Sequence, residues 1–505
     1  MTTDLDFSAT AAPEANIKRI LEWLAMAHGR NGSDDIEEVL KHIIVLRQTP
    51  IPCGQRIKLL DLIYAHVERV VKAELPRLNK VSLPISRKLR LKVRQLLDLL
   101  ERLTQDYFNS LAAIFDPQTS EAGSLAQVSL RRAMLSIIWQ IRIFHLVASP
   151  VRPMLWQQLH ATYRNARRFG IADLPGPRDT PSIQRLYSDG LLAAIAQPAS
   201  FCAEELSFIS DYIEYCTPDV PFSEAPISPT ESTFWIDQDR DFPAHALVRR
   251  GPSGECRPLY FNCADVATQA LQHLGQLQRG TSAASLHLPV FAESHTGQGI
   301  LRRLARLWGE PAKRKFSRRH QSYRAHLCVG LDTLWHLLKA PNAEADASEW
   351  MVTNESPDGY ALMHMSGNTR ELRVGDIVAL KPMDKVASTE SGWHVCIIRW
   401  AISENPEHVE IGLQQIASRA ISAHIAQPYE LQNSNQVMAL ILPETPPLRT
   451  SQSLVVHSGL LKEHTRRIIV LVEQDNLEIR EVQATRMDEQ TSAIEIFSLE
   501  PDELI

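Results

Sequence analysis

The hydrophobic period changes once along this chain, and that change limits the fold more than any single motif. From residue 14 to about 216 apolar residues recur at helical spacing. Ile17, Ile20, Leu21 and Leu24 fall at i, i+3, i+4 and i+7, and Ile36, Val39, Leu40 and Ile43 repeat the stripe. Helical stretches follow over 55–72, 86–111, 125–147 and 154–169; the last opens after Pro153 and runs into Gly170, the usual start and stop chemistry. From about residue 311 the pattern turns into short β-rich runs, among them AHLCVGL, EWMVTN, YALMHM, DIVALKP, WHVCIIRW and EIGLQQI. Turn residues separate them at the spacing of a small barrel. The expected fold class is therefore multidomain α + β. An all-α bundle or stack of hairpins fills 1–216, and an antiparallel β-barrel fills 311–420, with further strands beyond it.

Between these halves, residues 217–232 hold four prolines and no apolar periodicity, which reads as a linker. Residues 233–310 read as a small α/β segment, with HALVRR and ECRPLYF flanking a Gly-Pro-Ser-Gly turn and helices from Asp265 to about Leu277 and from Ile300 to Trp308. HTGQG at 295–299 lacks the Gly-Lys-Ser/Thr of a phosphate loop and reads as a turn into the second helix. Residues 430–505 remain β-like and fit either an extension of the barrel or a second one. In the helical half, Trp156, Leu159 and Tyr163 have the spacing of a tetratricopeptide repeat. No second copy follows, so they read as the buried aromatic side of one amphipathic helix.

The 505-residue chain carries a formal charge of -6, and no apolar run approaches the ~20 residues that span a bilayer. The acidic N-terminus lacks the basic start and apolar core of a signal peptide, so the expected location is cytoplasmic, without membrane insertion. Seven scattered cysteines and eighteen dispersed histidines form no metal-ligand spacing, so neither metal nor other cofactor is expected. No nucleophile elbow and no Walker loop occur, which argues against an enzyme.

Two features carry chemistry. The first is NESPDG, residues 354–359, between two strands. It suits a turn in which Gly359 takes positive φ and Asn354 and Ser356 sit at a strand end, offering amide and hydroxyl groups to a ligand. The second is a basic run. From Arg302 to Arg324 there are nine Lys or Arg and one acid, Glu310, in a chain that is acidic overall. Arg302, Arg303 and Arg306 fall on the helix before it, and Arg314 and Arg318 form an R-x-x-x-R pair with Arg319 adjacent. A guanidinium pairs bidentately with phosphate or with the O6/N7 edge of guanine, and it stacks on flat rings. The run has little aromatic interleaving, so DNA or RNA is not the expected partner.

In this order, R-x-x-x-R and then N-x-S-x-x-G between early strands of a small barrel, the chain resembles the PilZ domain family of bacterial cyclic di-GMP receptors over residues 311–420. RVGDIVAL and HVEIGLQQI look like later strands of that family. The resemblance implies a non-enzymatic receptor whose ligand is cyclic di-GMP. Arg314 and Arg318 would grip guanine and phosphate, and Asn354, Ser356 and Gly359 would shape the pocket. Because HQSYR precedes AHLCVGL, Arg319 and Arg324 stand as alternative members of the arginine pair. The helical region would then bind a protein partner. The alternative is a protein-interaction scaffold whose barrel no longer holds nucleotide.

Overall fold

The computed structural model describes residues 13–26, 32–114, 122–177, 180–254, 256–310, 317–340, 347–369, 371–383, 392–405, 408–426, 436–444, 451–461, 466–473 and 477–501. Eight helices come first: α1 (Pro13–Met26), α2 (Gly32–Gln48), α3 (Cys53–Glu74), α4 (Arg87–Ile114), α5 (Ala122–Leu146), α6 (Leu155–Arg168), α7 (Ile183–Ile195) and α8 (Ala203–Cys216). Their apolar stripes meet in one core through Ile36, Ile63, Leu103, Ile137 and Leu191, all essentially without solvent contact. On α6, Trp156, Leu159, Tyr163 and Ala166 all point inward, as an amphipathic helix requires.

A four-stranded sheet follows, from β1 (Phe222–Ser223), β2 (Thr233–Asp237), β3 (His245–Ala246) and β4 (Pro258–Asn262), in the order β1-β4-β2-β3. The stretch 217–232, which its prolines mark as a linker, is anchored here. Phe222 pairs with Phe261, and its ring packs against Tyr163 and Tyr187 at 5.4 and 5.3 Å. α9 (Ala264–Gln278) and α10 (His295–Gly309) then return to the helical core, where the buried Trp308 indole donates to Leu192 O at 3.1 Å. The segment 233–310 thus shares one hydrophobic core with the helices.

The rest of the chain builds two closed barrels. The first comprises β5 (Arg319–Val329), β6 (Ser348–Ser356), β7 (Gly359–Ser366), β8 (Ile377–Pro382), β9 (His394–Asn405) and β10 (His408–Ala417), ordered β10-β7-β6-β5-β8-β9 and closed by β9 on β10. Between β5 and β6 lies α11 (Leu331–Lys339), in the stretch between the strand runs AHLCVGL and EWMVTN. The second comprises β11 (Ile421–Ala426), β12 (Val437–Leu442), β13 (Ser453–His457), β14 (Arg467–Glu473), β15 (Leu477–Gln490) and β16 (Ile494–Pro501), ordered β11-β12-β13-β16-β15-β14 and closed by β11 on β14.

α11 cements the pair. Leu331, Leu334, Trp335 and Leu337 join one apolar cluster with Ile377, Ala379, Val395 and Ile397 of the first barrel and Leu440, Leu442, Val455 and Ile496 of the second. Neighbouring residues Val378, Leu380, Cys396 and Ile398 belong to the first barrel's core, and Ala439, Ile441, Leu454 and Phe497 to the second's. Strands such as VCII and MALIL are buried on both faces, which is why they read as unbroken apolar runs. The helical region touches the first barrel directly. Leu83 N donates to Leu372 O at 3.0 Å, and Ser403 N donates to Ala148 O at 2.7 Å. Among the described residues no helix is long and apolar enough to cross a membrane.

Candidate nucleotide-binding site

β6 and β7 form a tight hairpin in which Ser356 pairs with Gly359 and only Pro357 and Asp358 lie between. The turn differs from its sequence reading in one respect. Gly359 does not adopt positive φ. Proline fixes the loop's first φ near -65°, and glycine is needed for a different reason: a Cβ at 359 would lie 2.1 Å from the carbonyl oxygen of Leu413 on β10. Close backbone approach, not turn conformation, selects the residue.

The Ser356 hydroxyl lies 2.8 Å from Asp358 Oδ1 and 3.2 Å from Gly359 O, so its proton is committed inside the turn. Its lone pairs remain for a ligand donor. Asn354, half-buried, makes no side-chain hydrogen bond among the described residues and presents both faces of its amide. Behind the hairpin, the Tyr360 hydroxyl lies 2.9 Å from His394 Nδ1 and 3.2 Å from Gln415 Oε1, and Gln415 N donates to Asp358 O at 2.9 Å. Burial pushes the Tyr360 phenol upward, with Cys396 and Glu355 adding to the shift. The phenol is therefore neutral and acts as a fixed hydrogen-bonding strut. Sequence reasoning missed Tyr360 and Gln415; both sit inside strand runs with nothing to separate them from core residues.

β5 brings part of the basic run to this hairpin. Arg319 stands opposite Glu355 and His320 opposite Asn354. A register shift between His320 and Tyr323 turns the strand there, and the Tyr323 hydroxyl donates to Glu355 Oε2 at 3.1 Å. Arg318 and Arg319 are exposed and have no ion-pair partner among the described residues. Arg314 lies outside the described residues.

Arg324 is placed differently. It stands opposite Met351, about 17 Å of strand from Ser356 at the usual rise, and pairs with Glu349 at 3.0 Å. Of the helix arginines, Arg302 and Arg306 are exposed, but Arg303 does not belong to a surface patch. Its Nη2 donates to Ser200 O at 2.6 Å and its guanidinium lies over the Phe201 ring at 3.8 Å. Burial pulls its pKa down, and the neighbouring Glu205 carboxylate opposes that. A helical stripe interleaving charge with Leu301, Leu304 and Leu307 could not reveal which arginine faces inward.

The hairpin and the start of β5 thus lie together at one barrel end, with Arg319 on the Glu355 side of the paired strands and His320 on the Asn354 side. Guanidiniums there can hold an anion, and the Asn354 amide can hydrogen-bond a polar ring edge. Among the described residues no group of His, Cys, Asp or Glu is placed to hold a metal ion.

Three segments of the chain match known proteins. Residues 18–227 match the N-terminal domain of the cyclic-di-GMP receptor FimW, residues 339–421 match that receptor's middle PilZ domain, and residues 421–501 match its C-terminal β-barrel domain. The cyclic-di-GMP receptor FimW of Pseudomonas aeruginosa is 22% identical, across 85% of this chain and 82% of its own length. The PilZ match contains Asn354, Ser356 and Gly359 and begins after β5, so Arg318 and Arg319 lie upstream of it.

Proposed function

We propose that this chain, whose residues 339–421 match the middle PilZ domain of a cyclic-di-GMP receptor, is a non-enzymatic, cytoplasmic receptor for cyclic di-GMP. The observation that carries the reading is the juxtaposition of Arg318 and Arg319 with the Asn354–Gly359 hairpin at the same barrel end. A guanidinium matches the O6/N7 edge of guanine and the phosphate oxygens that such a ligand combines. Asn354 serves a guanine edge, Ser356 accepts from a ligand donor, and Gly359 keeps β7 against β10. Arg314, four residues before Arg318, completes the R-x-x-x-R pair, with Arg319 as the alternative member. Arg324, held by Glu349 farther along the strand, contributes charge rather than contact.

Binding is transmitted to the helical region, which takes a protein partner. The backbone bonds at Leu83 and Ala148 and the shared core support that route. Titration calorimetry of the full chain with cyclic di-GMP and cyclic di-AMP tests the reading. Tighter binding of the guanine nucleotide is expected, because adenine lacks the O6 acceptor. Equal affinities would reduce the site to a generic anion patch, and failure to bind either would leave a scaffold with a degenerate barrel.

A further inference from the structure

One guanidinium joins the second barrel to the strand that supports the hairpin. β9 and β10 pair Gly412 with Trp400 and Leu413 with Ile398, so Arg399 is the extra residue of a β-bulge. Bulges re-aim a side chain, and beside this one the Trp400 indole lies over Gly412, where a Cβ would fall 1.8 Å from the ring nitrogen. Arg399 Nε donates to Gln414 Oε1 at 2.6 Å. Its Nη1 and Nη2 donate to the two carboxylate oxygens of Glu489 at 3.2 and 2.6 Å. Glu489 belongs to β15 of the second barrel and adjoins a bulge of its own.

On the other side, Gln414 pairs with Gly359, and its neighbour Gln415 bonds to Asp358 and Tyr360. The contact is neither a surface pair nor a sealed one, with Arg399 and Glu489 side chains 31% and 34% exposed. Nearby, the buried Arg303 feels both charges, so the Glu489 carboxylate lies within the field of two guanidiniums. The seam is fixed again where Thr491 Oγ1 donates to Gly375 O at 2.8 Å.

We propose that Arg399 is a positioning residue of the nucleotide site, and that Glu489 of the second barrel, by holding Arg399 against Gln414, sets the affinity of the hairpin for its ligand. The inference rests on the nucleotide reading above. The second barrel is then a part of the receptor that senses occupancy, because a pair that favours the bound hairpin must itself be strengthened by binding.

The test uses the full chain and cyclic di-GMP, with two readouts. Titration calorimetry compares wild type with Glu489→Gln, Arg399→Lys and the charge-swapped Arg399→Glu/Glu489→Arg double variant. Glu489→Gln should weaken binding by about 2- to 30-fold, the range of couplings carried between sites. Arg399→Lys keeps the charge but loses the fork and should fall between. The swap should recover part of the loss. Hydrogen exchange supplies the second readout: nucleotide should slow exchange across residues 485–491 in wild type and not in Glu489→Gln. Folding is checked by thermal melts, and Arg399→Lys keeps the test open should Glu489→Gln fail to fold. Wild type that does not bind cyclic di-GMP would overturn the nucleotide reading itself. Wild type that binds, with variants within twofold of it and unchanged exchange at 485–491, would overturn this inference alone.

Discussion

The two barrels share a plan and differ in how they treat charge. Each closes six antiparallel strands around an apolar interior, and each lends one outer face to α11. In the second barrel three described arginines pair with carboxylates of the barrel itself: Arg467 with Glu481, Arg480 with Glu478, and Arg486 with Asp488, at 2.6 to 2.8 Å. In the first, Arg318 and Arg319 reach the hairpin rim without such partners. Adjacent unpaired guanidiniums leave a local positive field at the rim, which suits the anionic ligand proposed above. The seam pair Arg399–Glu489 is the place where the two surfaces meet.

The largest expected effect breaks the union of the barrels. Trp335 is 6% exposed, and its indole donates to Ala423 O of the second barrel at 2.7 Å. Trp335→Ala should cost about 3–5 kcal/mol, the range for emptying a buried aromatic site. Chemical denaturation followed by pulsed hydrogen exchange, read separately over residues 421–501 and over the rest of the chain, would then show the second barrel unfolding separately, since no tryptophan lies in that barrel. An unchanged single transition would mean that α11 does not join them.

Next in size is Gly359→Ala, a change confined to the first barrel. The added methyl meets the Leu413 backbone rather than a flexible side chain, so β10 must move, at about 1–3 kcal/mol or more. Thermal melts should show that loss together with weaker cyclic di-GMP binding. A stable variant with weak binding would mean that β10 yields and that the cost falls on the pocket alone.

How far the sequence disclosed this difference depends on the signal each feature leaves. The switch in hydrophobic period separated helices from barrels, and N-x-S-x-x-G with a basic run marked the barrel end that bears the hairpin. The helix over 331–339 carries little signal, because its three-to-four spacing spans only two turns between the strand runs AHLCVGL and EWMVTN. The second barrel stayed undecided since closure depends on β11 meeting β14, a pairing between distant segments that leaves no local pattern. Arg303 and Arg399 were illegible for the same reason. Each is one arginine among several, and only the fold places Phe201 beneath one and Glu489 beside the other. Gly359 reads from the sequence as a positive-φ turn residue, whereas the structure requires glycine there for its contact with β10.

The arginines give the third prediction, which sharpens the contrast between paired and unpaired charge. Arg318→Ala and Arg319→Ala should each leave the melting temperature nearly unchanged, because neither has an ion pair to lose. A residue that contacts guanine or phosphate bidentately should lose about 1–3 kcal/mol of nucleotide affinity, roughly fivefold to more than a hundredfold. Lys should restore only part of it. Titrations at two salt concentrations separate contact from attraction, since a screened, long-range contribution fades with salt and a direct contact persists. If both losses vanish in high salt, the unpaired charge steers the ligand without gripping it. Arg302→Ala, on α10, should show only that salt-sensitive behaviour.

The smallest expected effect belongs to the second barrel. Arg467 Nε lies 2.6 Å from Glu481 Oε1 on the adjoining strand, with side chains 58% and 35% exposed. An exposed pair gains little Coulomb energy in a high dielectric and gives up side-chain freedom to form, so such pairs contribute about 0–1 kcal/mol. Glu481→Gln should therefore shift stability by no more than that and leave cyclic di-GMP affinity within error of wild type. Glu489→Gln is the matched comparison: the same chemical change, in the same strand β15, eight residues on. If the two variants alter nucleotide affinity equally, a lost negative charge anywhere on β15 acts through the overall field, and the seam has no special standing. If only Glu489→Gln acts, the difference between the barrels lies in geometry, because that carboxylate of the second barrel is turned by its bulge onto a guanidinium that reaches β10, the strand beside the hairpin.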